Sequence, residues 1–228
     1  MNIDLNTLDL TELLKRENGC ILYEGSEGSI VREGCAGTVI SDIMDADRLC
    51  RLLRKLNLPD FTIIALKSRE AAQRLQSEYG FDGCNPCSQW VYIAKEPPKW
   101  ADCDIRLLTA ESAQTVGEHY HESVDYVRER IAAERMWGLY EDGTLAGFIG
   151  MHSEGSIGML EVFPEFRHKG YGYALEAYLI SLHLQRGWIP YCHVIDGNEA
   201  SIGLQKKLGM VCADLPAIWI WKEDTDVT

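Results

Sequence analysis

The chain has 228 residues, enough for one large or two small domains. Hydrophobic residues make up 46% and charged residues 25%, which is ordinary for a soluble globular protein, and no apolar run approaches the roughly 20 residues of a membrane span. The net charge of −13, from 22 basic and 35 acidic residues, argues against nucleic acid as a partner, because that requires a basic surplus or a basic stripe.

The chain opens MNIDLNTLDLTELLKREN, with no basic start leading into an apolar block. The expectation is therefore a cytoplasmic protein with no membrane partner. Leu5 to Arg16 has helical spacing. Strand-like pieces follow at Cys20-Tyr23, Ser29-Arg32 and Thr38-Ile40, split by Gly, Ser and Glu turns. Asp45 to Leu56 predicts a helix with Ala46, Leu49, Leu52, Leu53 and Leu56 on one side, ended by Pro59. Phe61 to Leu66 predicts a buried strand, Ser68 to Tyr79 a helix closed by Gly80, and Gln89 to Ala94 a strand. Glu96-Pro-Pro-Lys99 reads as a linker. It suggests a first domain over 1–98 and a second over 102–228.

The second half restarts with a strand at Asp104-Leu107 and a largely helical Thr109 to Arg135 in two pieces. Strands at Met136-Tyr140 and Leu145-His152 meet at the hairpin turn Glu141-Asp-Gly143. A strand at Ser156-Phe163 runs into a glycine-bearing turn and a helix to about Arg186. A strand at Tyr191-Ile195, a helix at Glu199-Leu208 closed by Gly209, and a last strand at Val211-Trp221 complete the chain. Trp137, Trp219 and Trp221 are most simply core.

The eight cysteines are best taken as reduced thiols, several of them in apolar segments (Cys50, Cys192, Cys212). Cys84-Asn-Pro-Cys87 is a lone CxxC with no second pair to complete four ligands, so the expectation is a Pro-containing turn and no metal.

The halves share a pattern. Leu75-Gln76-Ser-Glu-Tyr79-Gly80-Phe81 recurs as Leu204-Gln205-Lys-Lys-Leu208-Gly209-Met210, and at the same offset Trp90-Val91-Tyr92 meets Trp219-Ile220-Trp221. This implies a tandem duplication whose first copy is shorter and degenerate. At that offset Gly170 falls on Ser41 and Gly172 on Ile43. Asp42, Asp45 and Asp47 crowd the corresponding helix start, where carboxylates suit the helix dipole but repel a diphosphate.

The decisive stretch is Leu160 to Ala174, LEVFPEFRHKGYGYA. Strand, glycine turn and helix form an anion site, because the first helix amides lack internal partners and glycine lets a phosphate come close. With Arg167, Gly170 and Gly172 in its fixed places, the stretch resembles the acyl-CoA-binding signature [Q/R]-x-x-G-x-[G/A] of the GNAT superfamily of N-acyltransferases. The resemblance covers about Asp104 to Trp221. It includes Asn198-Glu199-Ala200-Ser201 and Lys207-Leu208-Gly209-Met210. Gly187-Trp-Ile-Pro-Tyr-Cys-His-Val-Ile-Asp-Gly-Asn-Glu-Ala200 is nearest the glycine N-acyltransferase-like branch.

That resemblance implies an α/β (α+β) GNAT fold: a mixed, mostly antiparallel sheet with splayed central strands, flanked by helices. The pantetheine arm of acetyl-CoA, or another acyl-CoA, would lie along Leu160, Val162 and Phe163. Its diphosphate would sit on Arg167, His168, Lys169, Gly170, Tyr171, Gly172 and Tyr173, with Asn198 and Ser201 on the other side. A neutral amine would attack the thioester, an oxyanion would be held by a strand N–H near Val162 or Phe163, and a base would take the ammonium proton.

Here the sequence departs from the family. The glutamate often found at the start of the fourth strand falls on Ser156, so Glu154 is the candidate base, directly or through water. Glu161 is either at the site or on an exposed face. The acid tyrosine falls on Gln205, which leaves the thiolate to depart unassisted or with help from Tyr173 or His193. His119-Tyr120-His121-Glu122, Asp125 and Tyr126 fall where the family shapes its acceptor pocket. The implied function is acyl transfer to a primary amine of a small molecule or amino acid. A protein lysine or N-terminal acetyltransferase, or a non-catalytic CoA sensor, are the alternatives. A monomer or a homodimer is compatible with the sequence.

Overall fold

The computed structural model describes residues 3–34, 37–58, 61–120 and 123–222. In chain order these form α1 (Leu8–Lys15), β1 (Gly19–Gly25), β2 (Gly28–Glu33), β3 (Val39–Ser41), α2 (Ala46–Leu56), β4 (Ile63–Leu66), α3 (Arg69–Tyr79) and β5 (Gly83–Val91). The second half adds β6 (Asp104–Leu107), α4 (Ala113–His119), α5 (Val124–Ala132), β7 (Met136–Glu141), β8 (Thr144–Met151), β9 (Ile157–Val162), α6 (Tyr171–Gln185), β10 (Tyr191–Ile195), α7 (Glu199–Leu208) and β11 (Val211–Trp221). No described helix is long and apolar enough to cross a membrane. Pro59 and the pair His121-Glu122 lie outside the described residues.

The order helix, three strands, helix, strand, helix, strand occurs twice, as α1-β1-β2-β3-α2-β4-α3-β5 and as α5-β7-β8-β9-α6-β10-α7-β11. The chain forms two compact units, and they are not consecutive stretches: residues 1–91, 193–199 and 212–228 make the first, and 92–192 with 200–211 the second.

In the first unit the strand order is β1-β2-β3-β4-β11-β5. The final strand of the chain is thus antiparallel to β4, with Ile218 opposite Leu66 and Trp221 opposite Ile63. Strand alternation sorts the core into two layers. Ile64 and Leu66 join Leu49, Leu53, Ala71 and Leu75 of α2 and α3 on one face. Ala65 faces the other way, with Val31, Ile40 and Leu10 and Leu13 of α1. The helices begin where side chains can satisfy free amides: Asp45 accepts from the Arg48 N–H (2.8 Å) and Ser68 from the Ala71 N–H (3.2 Å).

Cys84-Asn-Pro-Cys87 is not a turn. It lies inside β5, where Pro86 forgoes a ladder donor while its carbonyl accepts from the Asp196 N–H (2.9 Å). Cys50 and Cys192 are buried, as apolar segments suggest, but Cys212 is exposed on β11.

In the second unit β6, β7, β8 and β9 form an antiparallel run, and β9 meets β10 in parallel. Met159 and Phe163 pack with Val116, Val127, Ile131, Met136 and Phe148, beneath α4 and α5. Helix α6 packs across β7, β8 and β9. This is the mixed, mostly antiparallel α/β arrangement that the sequence implies.

Candidate functional site

The end of β9 and the start of α6 are joined by residues 163–170. Pro164–Phe166 makes one 3-10 turn. His168 (φ 64°) and Gly170 (φ 84°) then take left-handed backbone, which folds the chain sharply into the helix. No side chain caps α6, in contrast to α2 and α3. Within the turn the Phe166 N–H donates to Phe163 O (2.9 Å) and the Arg167 N–H to Pro164 O (3.4 Å), and the next N–H tied back is that of Ala174, to Gly170 O (3.0 Å). The preceding amides carry the partial positive charge of the helix end.

A Cβ placed on Gly170 meets nothing within 4 Å, so the turn is open on that side. One placed on Gly172 comes to 3.8 Å from Val162 and 4.0 Å from Leu160, so the first turn of α6 stands over β9. Arg167 ties the two together. Its Nε donates to Val162 O (3.0 Å) and its Nη2 to Glu161 (2.9 Å). Lys169 pairs with Glu141 (2.8 Å), which holds the ammonium above its ordinary range, while Tyr171 is pushed up by desolvation and by Glu141. Exposed pairs of this kind are worth little, so an incoming anion can compete for both cations.

Strands β9 and β10 pair at one register position, Cys192 with Ile157. Their counterparts β3 and β4 pair at three: Val39 with Ile64, Ile40 with Ala65, and Ser41 with Leu66. Beyond Ile157, β9 also slips against β8: Phe148 faces Glu161 and Gly150 faces Gly158, which leaves Met159 and Leu160 together opposite Ile149. Met159 adopts φ 52°, a left-handed residue that costs on the order of 1 kcal/mol and marks a β-bulge. Nothing in the residue types announces this bulge.

Residues 104–210 match the sequence profile of the acetyltransferase (GNAT) family. This part of the chain is similar to a GNAT-family acetyltransferase domain. Acyl-CoA-dependent acyl transfer is the chemistry of that family. Among solved structures, a Drosophila protein is similar with TM-score 0.65 and 20% identity, over 86% of this chain and 74% of that one. A putative GNAT acetyltransferase from Novosphingobium aromaticivorans gives TM-score 0.60 and 17% identity, over 97% of this chain and 100% of that one. A GCN5-related N-acetyltransferase from Kribbella flavida gives TM-score 0.60 and 10% identity, over 98% and 97%. At these identities the likeness is one of fold. No curated protein matches the chain.

The polar candidates of the second half divide sharply. Glu154 and Ser156 are buried together at the entrance to β9, where the Ser156 hydroxyl donates to the Glu154 carboxylate. The Tyr191 hydroxyl donates to Glu154 O (3.0 Å). Glu161 stands apart from them, half-buried and bound to Arg167, so its carboxylate serves to anchor the turn. Gln205 faces inward and its Nε2 donates to Glu176 (3.2 Å). Glu176 is fully buried, and desolvation pushes its carboxyl up to about 7, the Gln205 hydrogen bond working against that. Tyr173 lies under the Lys207 ammonium (5.2 Å).

Ser201 lies in the first turn of α7 within the second unit, whereas Asn198 belongs to the first unit. His193 also belongs there. Its Nε2 meets Gln89 (2.8 Å) and its Nδ1 accepts from Trp219 (3.2 Å), so it is engaged within its own unit. Of the acceptor-side residues, His119 stacks on Phe163 at 4.2 Å and Tyr120 meets Phe148 edge-on at 6.1 Å. Asp125 pairs with Arg128 on the surface (2.9 Å). Tyr126 meets His152, whose Nδ1 lies 3.1 Å from the Tyr126 hydroxyl. Sequence reasoning does not single out His152, which reads as the last residue of an apolar strand. Among the described residues no group of three or more His, Cys, Asp or Glu could hold a metal ion.

Proposed function

We propose that this chain is a cytoplasmic N-acyltransferase that moves an acyl group, acetyl by preference, from acyl-CoA to a primary amine of a small molecule or amino acid. The observation that carries this reading is the uncapped start of α6 behind Gly170, standing over a strand that parts from its neighbour after one pair. The amides of Arg167 to Tyr173 would hold the diphosphate. Leu160 and Val162, half-buried and apolar, would flank the pantetheine arm, with Phe163 at the strand end and Ser201 contributing from the first turn of α7. The bound thioester supplies an activated carbonyl. The chain's own part is to orient an amine against it, to polarise the carbonyl with an amide of β9, and to remove a proton. Glu154 and Ser156 would support the entrance of β9.

The doubled element order supports an ancient tandem in which 1–98 is a degenerate copy and 102–228 the working one. In the first copy the corresponding strands are zipped by three pairs and the corresponding helix is already capped by Asp45. Kinship with the glycine N-acyltransferase-like branch rests on the Gly187–Ala200 run and favours an amino acid as acceptor.

A sensor that binds CoA without turnover draws support from Gln205, which occupies the acid's place and is buried against Glu176. The two readings separate in one experiment. Purified protein with acetyl-CoA is offered glycine, tyramine, spermidine and a lysine peptide, and free thiol is followed. An N-acyltransferase releases thiol with a small amine. Tight acetyl-CoA binding with no amine-dependent thiol leaves the sensor, and preference for the peptide leaves the protein acetyltransferase.

A further inference from the structure

We propose that His152 takes the ammonium proton from the acceptor amine, with Tyr126 as its positioning residue. This inference rests on the N-acyltransferase reading above. His152 opens the turn between β8 and β9. Its N–H donates to Ser156 O and its carbonyl accepts from the Gly155 N–H, both at 3.0 Å, so the backbone is closed around it. The imidazole sits against β9 at Gly158. A Cβ on Gly158 would come within 2.5 Å of Nε2 and 2.6 Å of Cδ2, so the absence of a side chain there is what admits the ring. The Tyr126 ring of α5 stacks on the imidazole at 6.2 Å and 21°. Its hydroxyl lies 3.1 Å from Nδ1.

Gly158 follows Ile157, the residue of β9 that pairs with β10, and precedes the bulge at Met159 and Leu160. The ring therefore stands where the strands begin to part, about 13 Å along β9 from Val162 at 3.3 Å per residue. With the diphosphate on α6 and the arm running back along β9, this is the thioester's end, and the strand N–H that polarises the carbonyl is then one beside Gly158 rather than one near Val162 or Phe163. Arg130 of α5 stands 5.5 Å from the Tyr126 ring, Glu154 of the same turn is bonded to Ser156, and Arg135 ahead of β7 accepts from the Met151 N–H.

An imidazole with Nδ1–H donating to the Tyr126 oxygen keeps a lone pair on Nε2. The ammonium gives one proton to Nε2. The freed nitrogen pair attacks the carbonyl carbon, the C–N bond forms, and the C–S bond breaks with its electrons on sulfur. The nitrogen's surplus proton goes to the thiolate, through solvent if need be, and His152 returns its own proton to solvent.

The test compares wild type, His152→Gln, Tyr126→Phe and Gly158→Ala. Each is assayed for thiol release with the best amine of glycine, tyramine and spermidine between pH 6 and 10, and for acetyl-CoA affinity by calorimetry. His152→Gln is expected to lower kcat/KM at pH 7 by about 100-fold or more. Its acidic limb should move up to the range where the amine deprotonates itself, so that the variant converges on wild type at high pH. Acetyl-CoA affinity stays within twofold. Gly158→Ala, which evicts the ring but keeps the histidine, repeats the loss. Tyr126→Phe lowers kcat several-fold at unchanged KM and displaces the limb. Turnover in His152→Gln equal to wild type overturns the assignment while leaving the acyltransferase intact. So does a deficit constant across the pH range. Wild type that binds acetyl-CoA yet acylates none of the amines overturns it too. Wild type that fails to bind acetyl-CoA overturns the reading beneath it.

Discussion

Gly170 does two things at once: it turns the backbone into α6 at φ 84°, and it leaves open space where a side chain would stand. A replacement at this position meets no neighbour, so the fold loses only the cost of positive φ, about 1 kcal/mol. Gly170→Glu is therefore expected to stay folded by circular dichroism yet lose ~100-fold or more in acetyl-CoA affinity, the worth of about two charge-assisted hydrogen bonds. Unchanged affinity would refute the anion site. At this scale the sequence is legible where chemistry is local: Arg167, Gly170 and Gly172 announce the turn by spacing. His152 is silent, because its partner Tyr126 lies on another helix and its seat is the missing side chain of Gly158. Glu161 stays open in the sequence for a related reason: a strand pattern does not show which carboxylates are paired, and the partner is Arg167.

Helices α6 and α7 are joined by a buried polar contact, Glu176 with Gln205, and Gln205 Oε1 is left without a partner. A carboxyl whose folded pKa is about 7, against an ordinary 4.5, binds a proton on folding between those values. The contribution of this carboxyl to stability is therefore highest below about 4.5, falls as pH rises toward 7, and is flat above, a difference on the order of 3 kcal/mol. Glu176→Gln removes this slope and gives Gln205 Oε1 a donor. Urea unfolding at pH 8 should show the variant more stable than wild type by about 1–3 kcal/mol, with the difference fading toward pH 4.5. A difference independent of pH would contradict the buried-acid account. Elements as such are well marked by periodicity and by closing glycines such as Gly80 and Gly209. The exceptions are instructive. Pro86 suggests a turn within Cys84–Cys87, yet a strand tolerates it when its N–H is not needed. The bulge at Met159 depends on how β8 and β9 register, which no single strand encodes.

The first unit is completed by the end of the chain, since β11 lies antiparallel to β4 and its Ile218 and Ile220 fill the same core as Leu49 and Leu75. The proline-rich Glu96–Lys99 suggests a border, but local cues cannot reveal a strand pairing across more than a hundred residues. One consequence is testable. Residues 102–228 expressed alone leave β11 without β4, an apolar strand with open ladder groups. This fragment is expected to aggregate or to fold only in part, and co-expression with residues 1–98 should restore a soluble complex. A monomeric, fully folded 102–228 would show that β11 does not need its partner. The most direct measurement of the whole account is a crystal structure of the full chain with CoA. The diphosphate oxygens are predicted within about 3 Å of N–H groups of Arg167 to Tyr173 at the start of α6. A diphosphate bound elsewhere, or this turn left empty at saturating CoA, would contradict it.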